Sequence, residues 1–152
     1  MYPFLIAAFM VVLPGLSIAT EATIGGAALS ILLVGKWFVF WAVGIRLLTA
    51  GLRQIIQPEY AARTILRLTG NDALLVIREL GFANVAMGLL GAVSLPFAQW
   101  RSAAALVGGV FYALAAGHHI LQPRRSRLQT IAMVSDVFAA IVLLVSFGGL
   151  LR

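Results

Sequence analysis

Apolar residues run along this chain in five stretches, each separated from the next by a short polar or Gly/Pro-containing segment. The first extends from Tyr2 to about Ala19 with Pro14-Gly15 inside it, and Thr20-Glu21-Ala22-Thr23 with Gly25-Gly26 turns the chain. The second, Ala27 to Ile56, is too long for one straight crossing. Lys36 marks its entry into hydrocarbon and Arg53 its exit, 17 residues apart, or about 25 Å at helical rise, close to the thickness of a bilayer core. Gln57-Pro58-Glu59-Tyr60 follows. Ala61 to Leu68 then carries Arg63 and Arg67 at i, i+4, with Ile65, Leu66 and Leu68 available to lipid, the pattern of a short interfacial helix.

Gly70-Asn71-Asp72 leads into a third run, Ala73 to Phe97, which ends near Pro96. The fourth covers Ser102 to about Leu121. A basic turn, Pro123-Arg124-Arg125-Ser126-Arg127, precedes the fifth, Leu128 to Leu151. The pattern predicts an all-α fold: one polytopic transmembrane helix bundle over residues 1–152, with about five membrane helices plus a short interfacial helix. No internal repeat is visible. The amino-terminal run lacks a basic n-region and is followed by further spans, so it is expected to be a retained helix.

Composition agrees with the pattern and narrows the chemistry. Hydrophobic residues make up 62% of the chain and charged residues 11%, against about 25% charged in a soluble domain. There are no cysteines, which excludes disulfides, thiolate metal sites and thiol redox chemistry. The net charge of +6 comes from arginines at the ends of apolar runs, where they set topology and touch lipid headgroups. Nucleic acid is not the expected partner; the lipid bilayer is. A larger membrane complex or a homo-oligomer is open.

Five crossings place Arg53, Arg63, Arg67, Arg124, Arg125 and Arg127 on one side and Lys36, Arg101 and Arg152 on the other. By the positive-inside rule the N-terminus is cytoplasmic and the C-terminus outside, in a bacterial inner membrane. Trp37, Trp41 and Trp100 fall near the outer interface as an aromatic belt. Glu21, beside them, reads as a solvated loop carboxylate.

An ionised residue at mid-bilayer costs about 2.5–3.5 kcal/mol on insertion scales, so each one requires a partner or a purpose. Counted from the flanking turns at about 1.5 Å per residue, Arg46, Glu79, His119 and Asp136 fall roughly 7–13 Å deep from the same side. Arg78, Asn84, Tyr112 and His118 are near neighbours in sequence. Ala42, Arg46, Ala50 and Gln54 form an i, i+4 row, as do Ala132, Asp136 and Ala140, and these rows with the small-residue face Gly81, Asn84, Gly88 and Gly91 point the helices at one another.

One reading of the layer is an internal salt-bridge network of Arg46 and Arg78 with Glu79 and Asp136, which specifies packing without chemistry. A second is a site for metal, haem, quinone or another small ligand, with His119 or His118 as ligand or proton carrier and Glu79 and Asp136 as acidic partners. Adjacent histidines are about 100° apart on a helix and do not share one metal easily. A third is transport of a small solute or proton by an oligomer. No G-x-S-x-G, phosphate-binding glycine loop or H-E-x-x-H motif is present.

The segments KWFVFWAVGIRLLTAGLRQ, RELGFANVAMGLLG, GGVFYALAAGHHIL and MVSDVFAAIVLL resemble a family of small bacterial multi-pass membrane proteins defined as a domain of unknown function. That family is loosely similar to DoxX-like four-helix proteins. The resemblance implies a polar core of Arg46, Arg78, Glu79, Asn84, His119 and Asp136 and an accessory or redox-associated role. The first span is additional to a four-helix plan. The expected protein is a non-enzymatic subunit or helper organised by its buried polar layer. The alternative is a redox-associated protein holding haem, metal or quinone there.

Overall fold

A computed structural model describes residues 2–65, 70–122 and 126–150. Among these residues five helices are long and apolar enough to cross a membrane: α1 (Phe4–Thr23), α2 (Ile31–Ile56), α3 (Asp72–Val93), α4 (Ala98–Leu121) and α5 (Arg127–Leu150). Each matches one apolar run. A short helical segment, Tyr60–Ile65, lies where the interfacial helix is expected. The rest of that element with Arg67, the turn at Arg124 and Arg125, and Arg152 lie outside the described residues.

The helix ends follow local chemistry. Ser30 caps α2 by accepting from the Leu33 amide at 3.3 Å. Ser126 and Gln129 cap α5 reciprocally: the Ser126 amide donates to Gln129 Oε1 at 2.8 Å, and the Gln129 amide donates to Ser126 Oγ at 3.3 Å. This pairing satisfies two orphan donors of the first turn. Gly26, with φ of 67°, makes the left-handed turn between α1 and α2.

Two of the helices are locally widened. In α1 residues Ala8–Val12 are π-helical, just ahead of Pro14, whose ring would crowd the carbonyl four residues earlier in a regular helix. The Pro14-Gly15 pair therefore leaves α1 continuous. In α2 the π-helical stretch is Val39–Ile45.

α2 is the central helix and touches each of the other four. Its long contact with α3 is made by glycines on both sides. A Cβ on Gly44 would stand 2.8 Å from the Ala92 nitrogen, and one on Gly51 would stand 2.6 Å from the Gly81 oxygen. A Cβ on Gly91 would collide with the Gly44 backbone. Small residues allow such close approach where lipid offers no hydrophobic drive for helix association. α4 and α5 form the second close pair, with Gly109 against Leu143 and Leu144. The core between the pairs holds Met10, Val39, Val43, Leu47, Ala105, Tyr112, Ala139 and Leu143. Large apolar side chains such as Leu75, Phe82, Leu114, Val134 and Ile141 are exposed around the outside, as a lipid-facing surface requires. This is an integral membrane protein by length and apolarity of its helices.

Candidate functional site

Arg46 is the first residue after the widened stretch of α2. Its Nη2 donates to Asp136 Oδ1 of α5 at 3.0 Å, with the two side chains 13% and 8% exposed. Its Nη1 lies 3.5 Å from the Met10 sulfur of α1. Its guanidinium carbon sits 4.9 Å from the ring centre of Tyr112 of α4, a cation–π contact. Three helices thus hold one arginine. The Tyr112 ring is in turn fixed by its hydroxyl, which donates to the carbonyl of Ala42. That carbonyl lies within the π-helical stretch, where the Arg46 amide donates to Trp41 and Val43 instead.

A cavity of about 250 Å³ opens beside this centre. Its wall takes residues from the N-terminal halves of α1 and α5, from Leu80 and Asn84 near the middle of α3, from the C-terminal halves of α2 and α4, and from Tyr60 and Ala61 of the short helical segment. Polar lining comes from Arg46, Arg53, Gln54, Asn84, His119 and Asp136, and apolar lining from Leu5, Ile6, Phe9, Leu80 and Phe111. Asn84 is buried and donates to Gln54 Oε1 at 2.7 Å, tying α3 to α2. Arg53 stacks on Tyr60 with its guanidinium carbon 3.6 Å from the ring centre, and Tyr60 also lines the cavity.

The structure gathers Arg46, Asp136, Tyr112, Asn84 and His119 around the cavity and leaves the other three sequence candidates elsewhere. Arg78 and Glu79, expected in the same layer, are exposed on the outer face of α3. The reason is rotation. Ile77, Gly81, Asn84 and Gly88 form the buried stripe of that helix, and residues one and two places after Ile77 lie about 100° and 200° around from it. The four-charge network expected from depth alone is therefore one ion pair. His118 is exposed and pairs with the Gln122 amide at 2.9 Å. His119 is half-buried on the cavity wall. Among the described residues no group of three or more His, Asp and Glu is placed to hold a metal ion.

The i, i+4 row through Arg46 and Ala50 turns Gln54 inward, onto the cavity wall. Sequence reasoning missed Arg53 as a cavity residue and Met10 as a neighbour of Arg46. It also misread Glu21. This residue lies on the last turns of α1, where Lys36 Nζ donates to both its oxygens at 2.7 Å and Trp37 Nε1 donates at 2.7 Å. Trp41 Nε1 donates to Ser17 Oγ at 3.0 Å one turn deeper. These bonds clamp α1 to α2 at the end opposite the cavity.

A family model described as a family of unknown function (DUF6790) matches residues 1–147, and the chain belongs to that family. No curated protein and no solved structure matches it.

Proposed function

We propose that this member of the DUF6790 family is a non-enzymatic subunit or helper of a membrane assembly, whose buried polar centre fixes the arrangement of its five helices. The observation that carries this reading is the Arg46–Asp136 pair. Its arginine is held by Asp136, Met10 and Tyr112 together, so the charge is committed to packing. The resemblance to DoxX-like proteins supports an accessory role in the same direction. The membrane is that of a bacterium's inner membrane, with the cavity end and the N-terminus cytoplasmic and the C-terminus outside.

An absorption spectrum and metal analysis of the purified protein test the non-redox part. The expected sample carries no stoichiometric haem, metal or quinone. A stoichiometric one, lost on His119→Ala while the fold survives, would replace this reading by the redox-associated one. Orientation is tested by single cysteines at Ser126 and Ser102, which should label from the cytoplasmic and outer faces respectively of intact spheroplasts. The reverse pattern would invert the topology. Labelling of both from one face would contradict the span count.

A further inference from the structure

The cavity carries more charge than the bundle uses. Two arginines line it, Arg46 and Arg53, against one carboxylate, Asp136. Asp136 is committed to Arg46. The chain has only five acidic side chains, all on described residues, and none of them forms an ion pair with Arg53. Arg53 is half-buried, with one face covered by Tyr60. Stacking covers the face of a guanidinium and leaves its N–H edge available for a bidentate acceptor.

A second donor lies beside it. Asn84 donates to Gln54 Oε1, which leaves the Gln54 amide nitrogen with no bond among the described residues, on the wall of the same cavity. The same cavity also has apolar lining, from Leu5, Ile6 and Phe9 of α1, Leu80 of α3 and Phe111 of α4. Phe9 is itself stacked on Trp41, with ring centres 6.2 Å apart. The volume of about 250 Å³ lies just below the usual range of ligand pockets, about 300–1,000 Å³. It accommodates a head group with part of one tail.

We infer that this cavity binds a single-tailed anionic amphiphile, its carboxylate or phosphate head on Arg53 and Gln54 and its tail against Phe9, Leu80 and Phe111. An anion there supplies the counter-charge that the chain itself withholds from Arg53. The tail enters from the lipid-facing side, where Leu80 is exposed. The site stands on the cavity and does not depend on the subunit or helper role proposed above.

The test is calorimetric titration of the full-length protein in a neutral maltoside detergent with decanoate, decyl phosphate, decanol and inorganic phosphate. One or both anionic amphiphiles should bind at one per chain, and which of them does identifies the head group. Decanol and inorganic phosphate should bind at least about tenfold more weakly, since a charge-assisted hydrogen bond contributes about 1.5–3 kcal/mol. Arg53→Gln should cost at least about tenfold by the same reasoning. Arg78→Gln, which removes an exposed arginine of α3, should leave the affinity unchanged. Ala115→Leu, which fills the cavity without touching charge, should also abolish binding; melting without ligand verifies that each variant is folded. No binding of either anion, equal binding of decanol, or full affinity in a folded Arg53→Gln or Ala115→Leu protein would overturn the assignment.

Discussion

The Tyr112 hydroxyl of α4 donates to the Ala42 carbonyl of α2, one turn before the arginine whose guanidinium its ring supports. One side chain thus joins the widened backbone of α2 to the charge that follows it. Tyr112→Phe removes the hydroxyl and keeps the ring. The expected loss is about 1 kcal/mol, the net value of one buried hydrogen bond, read as a lower melting temperature in detergent. Tyr112→Ala should cost clearly more because the cation–π contact and the packing go with it. Equal melting of the wild type and Tyr112→Phe would mean that the hydroxyl is not what anchors the ring.

Asp136→Asn leaves Arg46 charged and buried without its counter-ion. Breaking a buried pair from one side costs about 3–5 kcal/mol in soluble proteins. Interhelical polar contacts in membranes average less, about 0.6 kcal/mol. Met10 and Tyr112 still hold the arginine, so a loss of about 2 kcal/mol is expected between those limits. The Arg46→Leu, Asp136→Leu double variant should recover most of it. A double variant as unstable as Asp136→Asn would show that the charges themselves are required.

Arg78→Gln and Glu79→Gln should each change thermal stability by no more than about 0.5 kcal/mol, as exposed substitutions do. Both residues are exposed, and neither forms an ion pair among the described residues. Thermal unfolding of the two variants checks the rotation of α3 directly. A large loss in either would turn that helix inward.

The glycines divide into two groups with opposite expectations. Gly44→Ala places a methyl 2.8 Å from the Ala92 nitrogen on the α2–α3 contact, where backbone on both sides cannot yield without separating the helices. It should destabilise by about 1–3 kcal/mol, as overpacking does. Gly117 has open space where its Cβ would be, so Gly117→Ala should be neutral or stabilising by up to about 1 kcal/mol through helix propensity. Parallel melting curves of the two variants decide it.

The five spans were readable from the sequence because lipid imposes length and apolarity on each helix separately, with no knowledge of its neighbours. Arg46 and Asp136 were readable as partners in depth. Their meeting depended on rotation, and here the small-residue rows helped: the row from Ala132 through Asp136 to Ala140 is buried along its length. The same logic fails at Arg78 and Glu79, where depth was right and the stripe begins at Ile77. The Ser126–Gln129 cap was present as an S-x-x-Q signature and passed over as part of a basic turn. The π-helical stretches within α1 and α2 had no sequence signal beyond Pro14 for the first. The Tyr112–Ala42 bond lies on the second of them and was not readable either.

Partners in the polar centre are made far apart in time. Glu21 and Lys36, 15 positions apart, can close the outer clamp as soon as the second helix is synthesised. Arg46 must wait for Asp136, 90 positions later, on the last long helix. Chains emerge from the ribosome at about 5–20 residues per second, so the arginine spends several seconds without its counter-ion. During that interval the nascent bundle is marked by an unneutralised charge, and a chain truncated before α5 would carry the mark permanently. Completion of the protein is thereby recorded in its own electrostatics, by the arrival of the one carboxylate that neutralises Arg46.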